Sequence, residues 1–505
     1  MKVLNAEQIR QLDAYTIAHE PIASIDLMER AALAFVHWFT THFSPESGPV
    51  VIACGTGNNG GDGLAIARLL HQRFYSVKAL VFPISPSPTP DFQTNLERLK
   101  ALGAVPLLHL ETGAPFPNIP EQAILIDGIF GSGLNRPVEG YWAGLIAHLS
   151  GHPGRKIAID VPSGLFADRP STGTVFRANY TLSFELPKLA FFIPENHRNV
   201  GQWIVRSIGL DPGFIHGLES PFQFVSHTLI RPLLKERHTF DHKGTFGHAL
   251  LVMGSYGKAG AAILAAQACL RTGCGLVTVH VPKTAYPIIQ VAFPEAMVSV
   301  DQHEFIFTEH GKLGLYKAIG IGCGIGVNRL TADAFLELLQ HAEVPLLIDA
   351  DGLNILSENP GFWKYVPPGA VLTPHPREFD RLFGPSANGF ERLERLRKQA
   401  REKEVYIVLK GAWSAIACPD GSCYFNSTGN PGMGTGGSGD VLSGMVTSLL
   451  AQGYAPRDAA LLGVYLHGLA GDLAAVECQQ EALLAGDIVR YIGKAFKSLR
   501  GIEGQ

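Results

Sequence analysis

Val50-Val51-Ile52-Ala53-Cys54-Gly55-Thr56-Gly57-Asn58-Asn59-Gly60-Gly61-Asp62-Gly63 passes from an apolar run of strand length into a glycine loop, and residues 63–73 continue it with helical spacing. A strand that turns through glycines into a helix opens a parallel α/β unit. The loop satisfies GxGxxG, which alone is a weak sign of dinucleotide binding. That fold also wants an acidic residue about twenty residues further on, to hold the ribose. Residues 64–90 contain no Asp or Glu, so an ordinary NAD dehydrogenase fits poorly. What remains is a row of backbone amides at a helix N-terminus, suited to receive a phosphate.

The same alternation extends outward from that stretch. Upstream, Ile9, Leu12, Tyr15 and Thr16, then Leu27, Met28, Ala31, Ala32, Phe35 and Val36, fall at helical spacing. Downstream, apolar runs at 77–82, 123–126 and 156–159 read as strands, with 181–184 and 203–205 extending the sheet. The proline-rich stretch 83–90 reads as a loop. Residues 211–232 mix Pro, Gly, Ser and His without periodicity and mark a boundary. This predicts a first domain over 1–215, a linker over 216–232 and a second domain over 233–505. The second repeats the grammar, with strands at 249–253, 276–281, 318–321, 345–348, 370–372 and 405–409. Its helices are expected at 259–272, 331–341, 390–403, 441–452 and 458–477. The halves share architecture, not a sequence repeat.

Composition narrows the class. A chain of 505 residues with 46% apolar and 17% charged residues supports large cores. A net charge of −4 without a basic stripe argues against a nucleic-acid binder. The 56 glycines sit in loops and do not recur every third residue, which excludes collagen. Seven cysteines with no CxxC pair read as small buried hydrophobes, not as disulfides or a zinc ribbon. No signal-peptide pattern and no run of eighteen apolar residues is present, so a cytoplasmic protein without a membrane span is expected.

In the first half, two more strands deliver polar residues: Asp127, followed by Gly128-Ile129-Phe130-Gly131-Ser132-Gly133, and Asp160, followed by Val161-Pro162-Ser163-Gly164. Ligands of open α/β sheets sit at the carboxyl ends of strands. Asn59, Asp127 and Ser163 supply hard oxygens able to converge on one cation, which leaves Asp160 as an acid/base candidate. Any one strand-end Asp alone is as readily a turn former. Three such loops in one half favour function.

Leu27-Met28-Glu29-Arg30-Ala31-Ala32, Gly57-Asn58-Asn59-Gly60-Gly61-Asp62-Gly63 and the Asp127 and Asp160 motifs, in that order, resemble the NAD(P)HX epimerase domain. The likeness spans roughly the first 210 residues. It implies a Rossmann-like three-layer sandwich. It also implies that Asn58, Asn59, Gly60, Gly61, Asp62, Gly131, Ser132, Gly133, Leu134, Asn135, Arg136, Pro137 and Asp160 contact the hydrated nucleotide. Asn59, Asp127 and Ser163 would bind potassium. His19-Glu20-Pro21 departs from the family, which usually carries a glycine there.

The densest signal of the second half is Gly429-Asn430-Pro431-Gly432-Met433-Gly434-Thr435-Gly436-Gly437-Ser438-Gly439-Asp440, just before an apolar helix. Consecutive small residues let amides curl into an anion-binding nest. A carboxylate at the mouth of that nest is electrostatically awkward unless it deprotonates an attacking hydroxyl. Lys410-Gly411-Ala412-Trp413-Ser414 follows a strand and suits nucleotide phosphates. Thr373-Pro374-His375-Pro376 presents His375 from a rigid loop, and Asp349 and Asp351 suit magnesium through water. His375 taken alone reads as an ordinary surface histidine. No GxxxxGK[ST] occurs, so this is not a P-loop binder.

These stretches, with His242-Lys243-Gly244, Gly254-Ser255 and Gly260-Ala261-Ala262, resemble the ADP- or ATP-dependent NAD(P)HX dehydratases, which are ribokinase-like α/β/α domains. The resemblance puts Ala261, Gly324, His375 and Asp440 near NAD(P)HX, and Lys410, Gly411, Ala412, Trp413, Ser414 and Gly439 near ADP with magnesium. Arg377 stands where the family commonly has glycine. The two halves together imply a homo-oligomeric, bifunctional repair enzyme. It would epimerise the hydrated forms of NADH and NADPH (NADHX and NADPHX) and dehydrate the S epimer with ADP, giving AMP and phosphate. Two rivals stand: a vitamin or sugar kinase in the second half, and a scaffold that recruits RNA-processing or lipoprotein partners in the first.

Overall fold

The computed structural model describes residues 1–501. Met1–Ser220 form one compact unit, and Pro221–Ala387 with the chain from Glu391 onward form another. The division falls inside the stretch expected to be a linker, which is not featureless. Strand β8 (Phe222–Phe224) and the short helix His227–Ile230, capped by the Ser226 hydroxyl, lie within it. Elements of three and four residues are too short to leave a period in the sequence.

The first unit is built on seven parallel strands: β1 (Val50–Cys54), β2 (Val77–Val81), β3 (Leu107–His109), β4 (Ile124–Gly128), β5 (Lys156–Ile159), β6 (Tyr180–Phe184) and β7 (Gln202–Arg206). Their order is β3-β2-β1-β4-β5-β6-β7. All of β1 is buried, because successive side chains feed opposite layers. Val50, Ile52 and Cys54 join the core under Phe35, Trp38 and Phe39, while Val51 and Ala53 join that of Leu145, Ile146 and Leu149. Each such large side chain stabilises the fold by about 1.5–3 kcal/mol on burial. Strand order reverses between β1 and β4, so the loops leaving these two strands flank a crevice at the carboxyl edge. The exposed edge strand β3, with its pattern of one half-buried and two exposed residues, was not anticipated.

The second unit has a ten-stranded sheet: β9 (His248–Val252), β10 (Leu276–Val281), β11 (Met297–Val300), β12 (Ala318–Ile321), β13 (Leu346–Ile348), β14 (Val371–Leu372), β15 (Tyr406–Leu409), β16 (Ala415–Ala417) and β17 (Cys423–Phe425), with β8 at one edge. The order is β11-β10-β9-β12-β13-β14-β15-β16-β17-β8, antiparallel only where β15, β16 and β17 meet. Again the order reverses once, between β9 and β12. The six central strands are those read from the sequence, whereas β8, β11, β16 and β17 are additions toward the edges. The helix Pro456–Cys478 is long and apolar enough to cross a membrane by length and composition, but its apolar stretch is mostly buried in this unit. It reads as a core helix. All seven cysteines are free and six are buried.

Two candidate active sites

In the first unit the loop that leaves β1 is drawn tight by backbone contact. A Cβ on Gly60 would stand 1.7 Å from the Gly55 carbonyl oxygen, so the loop tightens only with glycine there. The helix Asn58–His71 begins at Gly57 without a side-chain cap, leaving its first amides free for a ligand. Asn59 is buried, and its Nδ2 donates to the Phe130 carbonyl at 3.0 Å. Ser163 donates to Asp127 through Oγ at 2.6 Å and through its amide at 2.8 Å. The Ser163 Oγ in turn accepts the Phe130 amide at 2.8 Å. Asn59, Asp127, Phe130 and Ser163 are thus one knot of hard oxygens. Burial pushes the Asp127 carboxyl up to about 6, against the hydrogen bonds from Ser163 and Ile129.

Asp160 follows β5 in a left-handed conformation, φ +60°, which turns it into the crevice. Burial alone would raise its pKa. The charge of Lys188, with hydrogen bonds from Lys188, Ser132 and the Phe184 amide, outweighs that and holds it below the ordinary range. Lys188 is 1% exposed, and its Nζ lies 2.8 Å from Asp160 and 2.9 Å from Ser183 Oγ. Asp62 and Asp13 face the same charge. Burial, then Asp160, pushes Asp62 well above its usual value, and the same causes raise Asp13 to about 6.

In the second unit the loops after β9, β12, β13 and β15 meet the glycine-rich stretch. A Cβ on Gly322 would stand 1.9 Å from the Asp349 carbonyl oxygen. Ser255 Oγ donates to the Gly324 carbonyl at 2.7 Å, and a Cβ built on Gly324 would approach that of Ala261 to 3.5 Å. Asp349 is buried, with Oδ1 accepting from Lys410 Nζ at 2.8 Å and Oδ2 from Ser443 Oγ at 2.7 Å. Asp351 accepts from the Gly326 amide at 2.8 Å and pairs with Lys258 at 3.4 Å. Asp349 is thus held by Lys410 and Ser443, and Asp351 by the Gly326 amide and Lys258.

Gly437, in the left-handed region at φ +91°, starts the helix Ser438–Ala451 and sets Gly439 and Asp440 in its first turn. Burial raises the Asp440 carboxyl, with Asp349 and Asp351 adding to the shift and Lys410 opposing it. The loop is anchored from behind by Asp472, which accepts the Gly429 amide at 2.8 Å and Asn430 Nδ2 at 2.9 Å. His375 is not in a free loop. It caps the helix Pro376–Phe383, its Nδ1 accepting the amides of Arg377 and Glu378, so its proton sits on Nε2. Lys410 lies 4.0 Å from Glu378, which joins the His375 turn to the Asp349 group. Gly411 and Ser414 form an exposed turn, with Trp413 packed on Phe224 at 5.9 Å between ring centroids.

The model of the NAD(P)H-hydrate dehydratase family matches residues 249–494, and that of the YjeF-related protein N-terminus matches residues 24–190. The bifunctional NAD(P)H-hydrate repair enzyme Nnr of Moorella thermoacetica is 36% identical, over 99% of this chain and 97% of its own. This chain belongs to the bifunctional NAD(P)H-hydrate repair enzymes. The Escherichia coli member is 34% identical over 88% of this chain and 84% of its own. Among solved structures, an ADP/ATP-dependent NAD(P)H-hydrate dehydratase from Bacillus subtilis is 32% identical, covering 55% of this chain and 98% of its own, with a TM-score of 0.49.

In this family member, the expected residues fall into two hydrogen-bonded groups, Asn59, Asp127 and Ser163 around Phe130, and Ser132 with Asp160. Lys188, Asp13, Ser183, Ser443, Glu378 and Asp472 were missed. Nothing local marks Lys188 or Asp13, whose meaning comes from what the fold sets beside them. Asp472, in contrast, lies one residue after Gly471 on a helix turn that packs against Met433, a pattern legible once that contact is known.

Proposed function

We propose that the chain repairs hydrated NADH and NADPH at two sites. The first unit interconverts the R and S epimers, and the second dehydrates the S epimer at the expense of ADP. The observation that carries the first assignment is Asp160, kept ionised inside a buried crevice by Lys188. A carboxylate of this kind suits a proton shuttle. At a carbon that bears both a hydroxyl and a ring nitrogen, the hydroxyl proton leaves to Asp160 and the carbon–nitrogen bond opens. Reclosure from the other face with return of the proton gives the other epimer. Asn59, Asp127 and Ser163, with the Phe130 carbonyl, form a donor set of hard oxygens that fits a potassium ion. Bound there, the ion would orient substrate oxygens and stabilise the Asp127 charge that burial disfavours. Free amides after Gly57 suit the substrate's phosphates.

In the second unit Asp440, beside free amides at the start of its helix, is placed to take the proton of the substrate's 6-hydroxyl. That oxygen would attack the terminal phosphorus of ADP, releasing AMP. Phosphate would then leave as the adjacent carbon gives up a proton and the ring double bond returns. Lys410 and the turn containing Gly411, Ala412, Trp413 and Ser414 suit the nucleotide, whose magnesium would neutralise phosphate charge. Reduced, mostly buried cysteines agree with a cytoplasmic setting. Asp440→Asn tests the assignment: dehydration should fall by about 10²–10⁴-fold while epimerisation persists. Near-normal dehydration would overturn it, and accumulation of a stable phosphorylated product by the native protein would favour a kinase instead.

A further inference from the structure

We propose that His310, Glu337 and His341 form a transition-metal site of the zinc class on the second unit, built from none of the residues named for either reaction. Glu337 and His341 lie one turn apart on the helix Arg329–His341, and His310 comes from the connection between β11 and β12. One ligand atom from each of the three lies within 4.8 Å of the others, and the two imidazole centroids are 5.5 Å apart.

His310 is half-buried and Glu337 and His341 are exposed, and the hydrogen bonds around the trio settle which ring nitrogens are left for an ion. His310 Nδ1 meets the Gly311 carbonyl at 2.9 Å, and His341 Nδ1 meets the Glu337 carbonyl at 2.8 Å. A carbonyl only accepts, so each Nδ1 carries the proton and each Nε2 presents a lone pair. Metal-binding histidines are oriented in this way by a backbone carbonyl on the far nitrogen. His310 Nε2 is buried and has no hydrogen-bond partner. The Glu337 carboxylate takes part in no hydrogen bond or ion pair among the described residues. Two imidazoles and one carboxylate suit a tetrahedral ion with one open position for water. Ligands at about 2.0–2.2 Å from such an ion stand about 3.4 Å apart, so small side-chain rotations close the site.

The ion would tie the β11–β12 connection to the last turn of the helix. That connection is already knotted around Asp301, which accepts from Thr308 through both amide and hydroxyl at 2.6 Å. Its Phe305 carbonyl holds the Tyr256 amide at 2.9 Å, next to the Gly254–Ser255 turn.

The test uses full-length protein without an affinity tag, stripped with a chelator and free of nucleotide. Zinc is titrated by calorimetry, and cobalt serves as a spectroscopic probe. One zinc per chain is expected, with a visible cobalt band of tetrahedral type and a raised Tm. His310→Ala and His341→Ala should each weaken binding by at least about tenfold, the loss that removing even an outer partner of a ligand can bring. Their Tm in chelator should stay unchanged. Glu337→Gln should weaken binding without loss of fold. Absence of zinc binding by the native protein, or equal binding by the histidine variants, would overturn the site.

Discussion

Lys188 is the buried cation beside the carboxylate proposed to move the proton in the first unit. Its ammonium is 1% exposed, and Asp160 is the carboxylate that balances it. Removing one partner of a buried pair strands the other, at a cost of about 3–5 kcal/mol. Lys188→Met should therefore lower the Tm of the first unit and push the Asp160 carboxyl up, because the charge that overcame its burial is gone. Epimerisation at neutral pH should drop and recover as the pH is raised, and a pH–rate profile with an unmoved acid limb would contradict this. Asp127 gives the opposite kind of test. Burial raises its folded pKa to about 6, so its contribution to stability is present below the unfolded value of 3.8 and is lost as the pH rises through about 6. Potassium should raise the Tm more at pH about 8 than at pH about 5, and Asp127→Asn should remove that difference. An equal shift at both pH values would argue against potassium at this knot.

At the scale of elements, both sites are strand ends joined to uncapped helix starts. Gly60→Ala would set a methyl 1.7 Å from the Gly55 carbonyl oxygen, which forces the β1 loop apart. A loss of more than about 3 kcal/mol is expected, the range of the severe named mechanisms, together with loss of epimerisation; urea unfolding of the full chain reads the first. Asp472→Asn should leave the fold intact and raise the KM for nucleotide several-fold, because Gly429 and Asn430 lose their anchor; an unchanged KM would contradict that role. The central strands were legible because buried parallel strands are continuous apolar runs, as in Val50–Cys54. The short strands β3 and β17 were not, since Leu107-Leu108-His109 and Cys423-Tyr424-Phe425 stand outside any longer apolar run and three residues carry no period. His375 was read as a loop residue because its role as a cap depends on Pro376 starting a helix, which the preceding Thr373-Pro374 pair does not announce.

For the whole molecule, the glycine motifs and strand-end acids announced where the two crevices lie, and membership of the repair-enzyme family agrees with that reading. Groups that act at a distance in sequence were hidden. Lys188 meets Asp160 only through β6 and its following turn, and Asp13 reaches the same charge from the N-terminal helix. One chain carries both reactions. The direct measurement mixes the purified full-length protein with both epimers of NADHX, ADP, magnesium and potassium, and follows the return of reduced-nicotinamide absorbance. Full recovery from both epimers is predicted, with Asp160→Asn recovering only the S epimer at the native rate. Recovery of the S epimer alone by the native protein would contradict the claim and leave the first unit without its reaction.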